Sequence, residues 1–108
     1  MADYFQVSTA TPTQEQAVEL ARTVVSRRLA AGAQIIGPII SVFWHDGAFA
    51  TGEEWQLLLK TTAARYPELE AHILKHHPWQ NPEIAAVPIE AASAGCLEWI
   101  AANTTPVD

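Results

Sequence analysis

At 108 residues the chain is long enough for one domain and too short for two, and its 49% apolar and 17% charged residues make an ordinary globular composition. A net charge of −6, with only six Lys and Arg, argues against nucleic acid or an anionic membrane as the main partner. Cys96 is the one cysteine and cannot close an internal disulfide, no apolar run approaches the ~18 residues that span a bilayer, and no N-terminal stretch has signal-peptide design, so a cytoplasmic protein is expected.

Phe5 and Val7 alternate with Tyr4, Gln6 and Ser8, the period of a strand with two unlike faces. Thr11-Pro12-Thr13 then punctuates the chain, and Thr13 with Gln16 fits a capping box, in which two side chains satisfy orphan backbone N–H groups reciprocally. The helix that follows buries Ala17, Leu20, Ala21, Val24, Val25 and Leu29, and Gly32 is expected to end it. From Gln34 to Trp44 the chain is β-branched and aromatic, broken at Gly37-Pro38 because proline has no N–H for the ladder, which predicts a strand with a bulge. Asp46-Gly47 suits a tight turn with positive φ, so a long hairpin runs from Gln34 to Thr61 through Trp55, Leu57 and Leu59.

Tyr66, Leu69, Ile73 and then His76 or His77 mark the buried face of a second helix, stopped by Pro78. Ile84 to Ile89 reads as a short strand, and Pro88 within it points to a sheet edge. Ser93 caps a last short helix through Trp99 and Ile100; the core spans about residues 4–103, with a flexible tail from 104 to 108. The order strand, helix, strand, strand, helix, strand, with a terminal helix appended, is that of an α+β, ferredoxin-like βαββαβ sandwich with a four-stranded antiparallel sheet.

Several runs in this frame resemble the CutA family of divalent-ion tolerance proteins: Thr9 and Pro12, "RRLAA" at 27–31, Ile35-Ile36, Trp44, Gly47, "EEW" at 53–55, "LLLKT" at 57–61, "HPWQNPEI" at 77–84, "VPIE" at 87–90 and "LEW" at 97–99. The resemblance implies a tight homotrimer whose long hairpins pair between subunits, and a link to metal-ion tolerance, chiefly copper. It also implies an intersubunit cleft formed by Glu54, Lys60, His77, Trp79 and Glu83, which stand where the family shows similar residues. An aromatic wall, a cation, carboxylates and an imidazole would suit a small anionic or zwitterionic ligand, or a hard metal ion. Structural alternatives stand beside this: a helix-ending role for His77 and an interstrand salt bridge or trimer contact for Glu54 and Lys60. Trp44 and Trp55 are expected as packing or trimer anchors, and Trp99 as a packing anchor on the last helix.

The chain departs from the family where metal binding has been connected with a cysteine in an "AACVN" segment, since Ala30-Ala31-Gly32-Ala33-Gln34 stands there. Copper(I) would find only Cys96 and Met1 as soft ligands, and Cys96 reads as a small packed hydrophobe. His72 and His76, one helical turn apart with Glu68 before them and His77 after, form a stripe able to hold zinc or copper(II), weighed against a surface or structural role in which the stripe turns from the wet side at Glu68 toward the core at His76.

No nucleophile stands beside a base in a recognisable frame, and no glycine-rich phosphate fingerprint is present. The sequence therefore reads as a non-enzymatic trimer that binds metal ions or acts in the response to them, with no cofactor required. The alternative is a small-molecule sensor resembling the PII signal proteins, which would hold its effector in the intersubunit cleft.

Overall fold

A computed structural model describes residues 3–106. Strand β1 (Tyr4–Thr11) is followed by helix α1 (Gln14–Ser26), strands β2 (Gly32–His45) and β3 (Ala48–Thr62), helix α2 (Tyr66–His76), strand β4 (Ala85–Pro88) and helix α3 (Ala94–Ala102). The sheet order is β2-β3-β1-β4 with every pair antiparallel, so β2 and β4 are its edges. Pro88 does lie in an edge strand, where its missing N–H leaves no neighbour unpaired.

Alternation along the central strands places Val7, Leu57 and Leu59 under Ala17, Leu20, Ala21 and Val24 of α1 and Leu69 and Ile73 of α2, forming the core between sheet and helices. The cap of α1 is half of the box expected. Thr13 accepts from the Gln16 backbone N–H at 3.1 Å, but its hydroxyl donates to Gln16 Oε1 at 3.0 Å instead of the Gln16 side chain reaching back to the backbone. Ser93 caps α3 as read, accepting from the Cys96 N–H.

Gly32 does not end α1. The helix stops at Ser26, and the left-handed residue beyond it is Arg28, with φ 59°. The freed carbonyls are closed locally, Arg28 N–H donating to Val25 O at 3.0 Å and Leu29 N–H to Val24 O at 3.1 Å, so Arg28 takes the left-handed position assigned to glycine, and the Arg65 guanidinium braces the turn by donating to Arg28 O at 3.3 Å and Arg27 O at 3.4 Å. Gly32 opens β2, where a Cβ would stand 2.7 Å from the Trp99 ring. That contact keeps Trp99 partly packed although the residue is exposed. The tail is also corrected at its start: Thr104 is 3% exposed and its hydroxyl donates to Ile100 O at 2.8 Å. Residues 107 and 108 lie outside the described residues, as does Met1.

The hairpin is as long as the sequence indicated, and its arms stay paired through Ala48, Ala50 and Gly52. Asp46 and Gly47 at its tip have φ 50° and 77°, the paired positive values of a type I′ turn. One extra residue in β2 between Ile36 and Ile39 makes the expected bulge at Gly37-Pro38. Because β1 ends opposite Trp55, the arms from Ile39 to Glu54 pair only with each other. Ile40 is 81% exposed there and Trp44 77%, so Trp44 is no packing anchor within one chain; it touches Phe49 at 5.8 Å between rings. Trp55 is an anchor, packed on the core with its ring under Gly37.

Candidate functional site

The segment after α2 is placed by its proline. A residue preceding proline is pushed toward extended backbone, and His77 has φ −76° and ψ 141°, which ends the helix and turns the chain toward the end of β1. The imidazole then ties three segments together. His77 Nδ1 accepts from the Trp79 backbone N–H at 3.0 Å, and Nε2 lies 2.6 Å from the Ala10 carbonyl oxygen. An acceptor at Nδ1 needs a bare lone pair and a carbonyl needs a proton, so the ring is the neutral Nε2–H tautomer with both nitrogens committed. To the helix-ending role expected of His77 the structure adds a bridging one, and the ring has no lone pair left for a metal.

The His77 ring also packs against Trp79, tilted by 42° with centroids 5.2 Å apart, and this holds the indole as one wall of an open groove of ≈ 830 Å³. The groove lies between the hairpin and the loop after Pro78. Phe43, Trp44, His45, Asp46 and Glu54 line it from the hairpin, and Pro78, Trp79, Gln80 and Asn81 from the loop. Glu54 is held in place by the Ser41 hydroxyl, which donates to Oε1 at 2.6 Å.

Of the residues expected to share a cleft, one chain brings Glu54 and Trp79 into the groove and places His77 behind Trp79. Lys60 is not there. It lies six positions along β3 from Glu54, roughly 20 Å at the rise of a strand, and its ammonium donates to Gln6 Oε1 at 3.4 Å. No salt bridge joins Glu54 to Lys60 among the described residues. Glu83 is exposed and away from the groove lining.

The histidine stripe turns the opposite way from expectation. His72, 8% exposed, is the inward member and His76 is exposed, because α2 packs with its 69–72–73 face on α1. Thr23 donates its hydroxyl proton to Leu20 O at 3.0 Å, so at 3.0 Å from His72 Nε2 it accepts a proton from the ring. Burial first, then the His76 ring and the cations Arg27 and Lys75, push His72 below its ordinary value. Glu68 pairs with Arg65 at 3.1 Å. Among the described residues no three His, Cys, Asp or Glu side chains converge as a metal site, so the donors of one chain do not fit a resident metal ion. His76 faces a separate cleft of ≈ 240 Å³ with Glu19 and Gln16.

Ser41, Phe43, Asp46, Gln80 and Asn81 were not among the sequence candidates. Strand alternation opposite Glu54 signals Ser41 and Phe43, but the loop's approach to the hairpin has no local signature.

A family model described as CutA1 divalent ion tolerance protein matches residues 5–103. The Divalent-cation tolerance protein CutA of Thermus thermophilus is 34% identical over 93 residues, covering 86% of this chain and 90% of that protein. A solved structure of the divalent cation tolerance protein from Thermus thermophilus superposes with a TM-score of 0.91 at 32% identity, covering 94% of this chain and 99% of that one. Rice Protein CutA 1, chloroplastic, is 33% identical over 93 residues, 86% of this chain and 52% of that protein. The periplasmic divalent cation tolerance protein CutA of Archaeoglobus fulgidus superposes at TM-score 0.91 and 27% identity, covering 94% of this chain and 99% of that one. The last two names overturn the cytoplasmic location expected from sequence: relatives with this fold are called chloroplastic and periplasmic, so a globular acidic chain with one cysteine does not fix a compartment. No helix among the described residues is long and apolar enough to cross a membrane.

Proposed function

The chain belongs to the CutA1 divalent ion tolerance protein family, and from that premise we propose that it is a non-enzymatic homotrimer of ferredoxin-like subunits acting in the response to divalent metal ions, copper among them, with the hairpin groove as its ligand site. One observation carries this reading. Ile36, Ile40, Val42, Trp44 and Phe49 are all exposed on arms of the hairpin, and β2 is an open sheet edge beside them. A bare strand edge next to large apolar side chains is an aggregation hazard unless something covers it. Symmetric copies of the same hairpin are the economical cover.

Assembly also bears on the metal ion. Since no set of donors converges among the described residues of one chain, a divalent ion is met as cargo by oxygens such as those of Asp46 or Glu54, completed by a neighbouring subunit. The absence of thiolate at the "AACVN"-like segment favours copper(II) over copper(I). The reading as a non-enzyme rests on the sequence, which pairs no nucleophile with a base. The PII-like alternative is not favoured, the relatives named above being called divalent-cation tolerance proteins or CutA.

Sedimentation velocity at micromolar protein tests the assembly. The wild type should run at three times the chain mass, and Ile40→Lys should run lighter with unchanged far-UV circular dichroism. A monomeric wild type sinks the proposal. Calorimetric titration with copper(II) and zinc, repeated on Glu54→Gln, tests the site.

A further inference from the structure

We propose that the hairpin groove takes a linear organic polycation of the polyamine class, the reverse of the anionic ligand that the sequence suggests. This rests on the groove being the ligand site named above and adds the chemistry of its occupant. With Lys60 committed to Gln6, neither Lys nor Arg lines the groove, whereas two carboxylates do, Asp46 and Glu54. Ser41 takes one Glu54 oxygen and leaves the other free to accept from a ligand.

The acceptors are strung out, not convergent. Glu54 stands opposite Ile39, while Asp46 follows His45 at the turn. Six residues of strand separate Ile39 from His45, roughly 20 Å. A compact dication reaches one carboxylate at a time; a flexible chain bearing several ammonium groups reaches acceptors all along the groove. The surfaces between suit such a chain. Phe43 and Trp79 offer apolar contact for methylene segments and ring faces for ammonium groups. Trp79 is held for this by the His77 bridge and ring contact, so its position is prepared before a ligand arrives. A phosphate or carboxylate ligand would meet two like charges and neither Lys nor Arg, the one basic side chain in the lining being His45, whose Nε2 already lies 3.3 Å from Asp46 Oδ2.

Calorimetric titration of the intact protein with spermine, at low and at physiological salt, tests the inference. A chain of net charge −6 attracts any polycation, so two variants of equal charge decide the matter. Glu54→Gln removes the groove carboxylate while its amide oxygen still accepts from Ser41, and it should weaken spermine about tenfold, the worth of one charge-assisted hydrogen bond. Glu19→Gln removes an exposed carboxylate from α1, outside the groove, and should leave affinity within about twofold. Putrescine, a short diamine, should bind more weakly than spermine. Equal losses in the two variants would mean non-specific attraction and overturn the inference, as would ATP binding where spermine does not. Glu54-dependent heat from copper(II) or zinc with none from spermine would overturn the polyamine class and leave the groove as the site. Silence from metal ions, spermine and ATP alike would remove both.

Discussion

His77→Ala is the sharpest test of how the groove wall is built. His77 is 9% exposed and bridges the Ala10 carbonyl at 2.6 Å and the Trp79 N–H at 3.0 Å. Truncation strands one acceptor and one donor, each costing about 1–3 kcal/mol when water cannot reach it. Water will enter on the Trp79 side, which is exposed, so the summed loss should be about 2–4 kcal/mol, a large part of a typical domain's stability. His77→Asn separates the two bonds: its carbonyl can accept from an N–H two residues on, as in an Asx-turn, but is too short to reach Ala10. It should lose about half as much. Urea unfolding followed by circular dichroism at one fixed protomer concentration reads both, with the slope checked for constancy. A loss under about 0.5 kcal/mol for His77→Ala, or equal losses for the two variants, would refute the bridge. Nitrogen chemical shifts of the ring supply an independent check, since the Nε2–H tautomer is required.

Thr9→Val should stabilise the fold by about 1 kcal/mol in the same assay, because the Thr9 hydroxyl is buried in β1 without a hydrogen-bond partner and valine fills the same shape. Acid should destabilise the protein through His72: its folded value is pushed below the ordinary ~6.5, so the unfolded chain takes up the proton first. Stability from this group is therefore full above about pH 6.5 and is lost as pH falls through the lower folded value; His72→Gln, whose amide can still donate to Thr23, should flatten that slope in urea midpoints measured from neutral pH downward. Gly37→Ala should cost about 1–3 kcal/mol by overpacking, since the added Cβ would run into Cε3 of the Trp55 ring, and Trp55→Phe should relieve part of the loss. Additive single and double variants would refute that contact.

The elements were legible because each carries its own local signal. Thr13 and Ser93 cap helices, Asp46-Gly47 makes the turn, and Pro88 marks an edge, all through interactions within a few residues. What escaped was set by packing between distant segments. Residues 72 and 76 both lie within a turn of Leu69 and Ile73, and which one faces inward depends on where α1 sits, fixed here by the Thr23 hydroxyl meeting His72. Gly32 looked like a helix stop because a left-handed arginine carries no local signal: Arg28 closes the helix four residues earlier, and the Arg65 side chain that braces it comes from 37 positions beyond. His77 was visible as a helix-ending residue, but its bond to Ala10 spans 67 positions and turns a candidate ligand into a brace. Glu54 and Lys60 share a face of β3, yet the loop that completes the groove reaches only one of them.

One inserted residue gives the hairpin arms two unlike faces. Ahead of the bulge, Ala33 and Ile35 of β2 pack on the core beside Leu59 and Leu57. Without an extra residue, the odd positions would continue on that face. The residue inserted between Ile36 and Ile39 shifts the alternation, so Ile40, Val42 and Trp44 stand opposite Glu53, Thr51 and Phe49, while Ile39, Ser41 and Phe43 stand opposite Glu54, Gly52 and Ala50. One face of the arms is thereby mostly large and apolar, suited to cover by another copy. The other carries the Ser41–Glu54 bond and the Phe43 ring that belong to the groove. Reversing the phase would move Ser41 away from Glu54 and put Ile40 in its place, so the same bulge that leaves an apolar face exposed also keeps the groove carboxylate oriented.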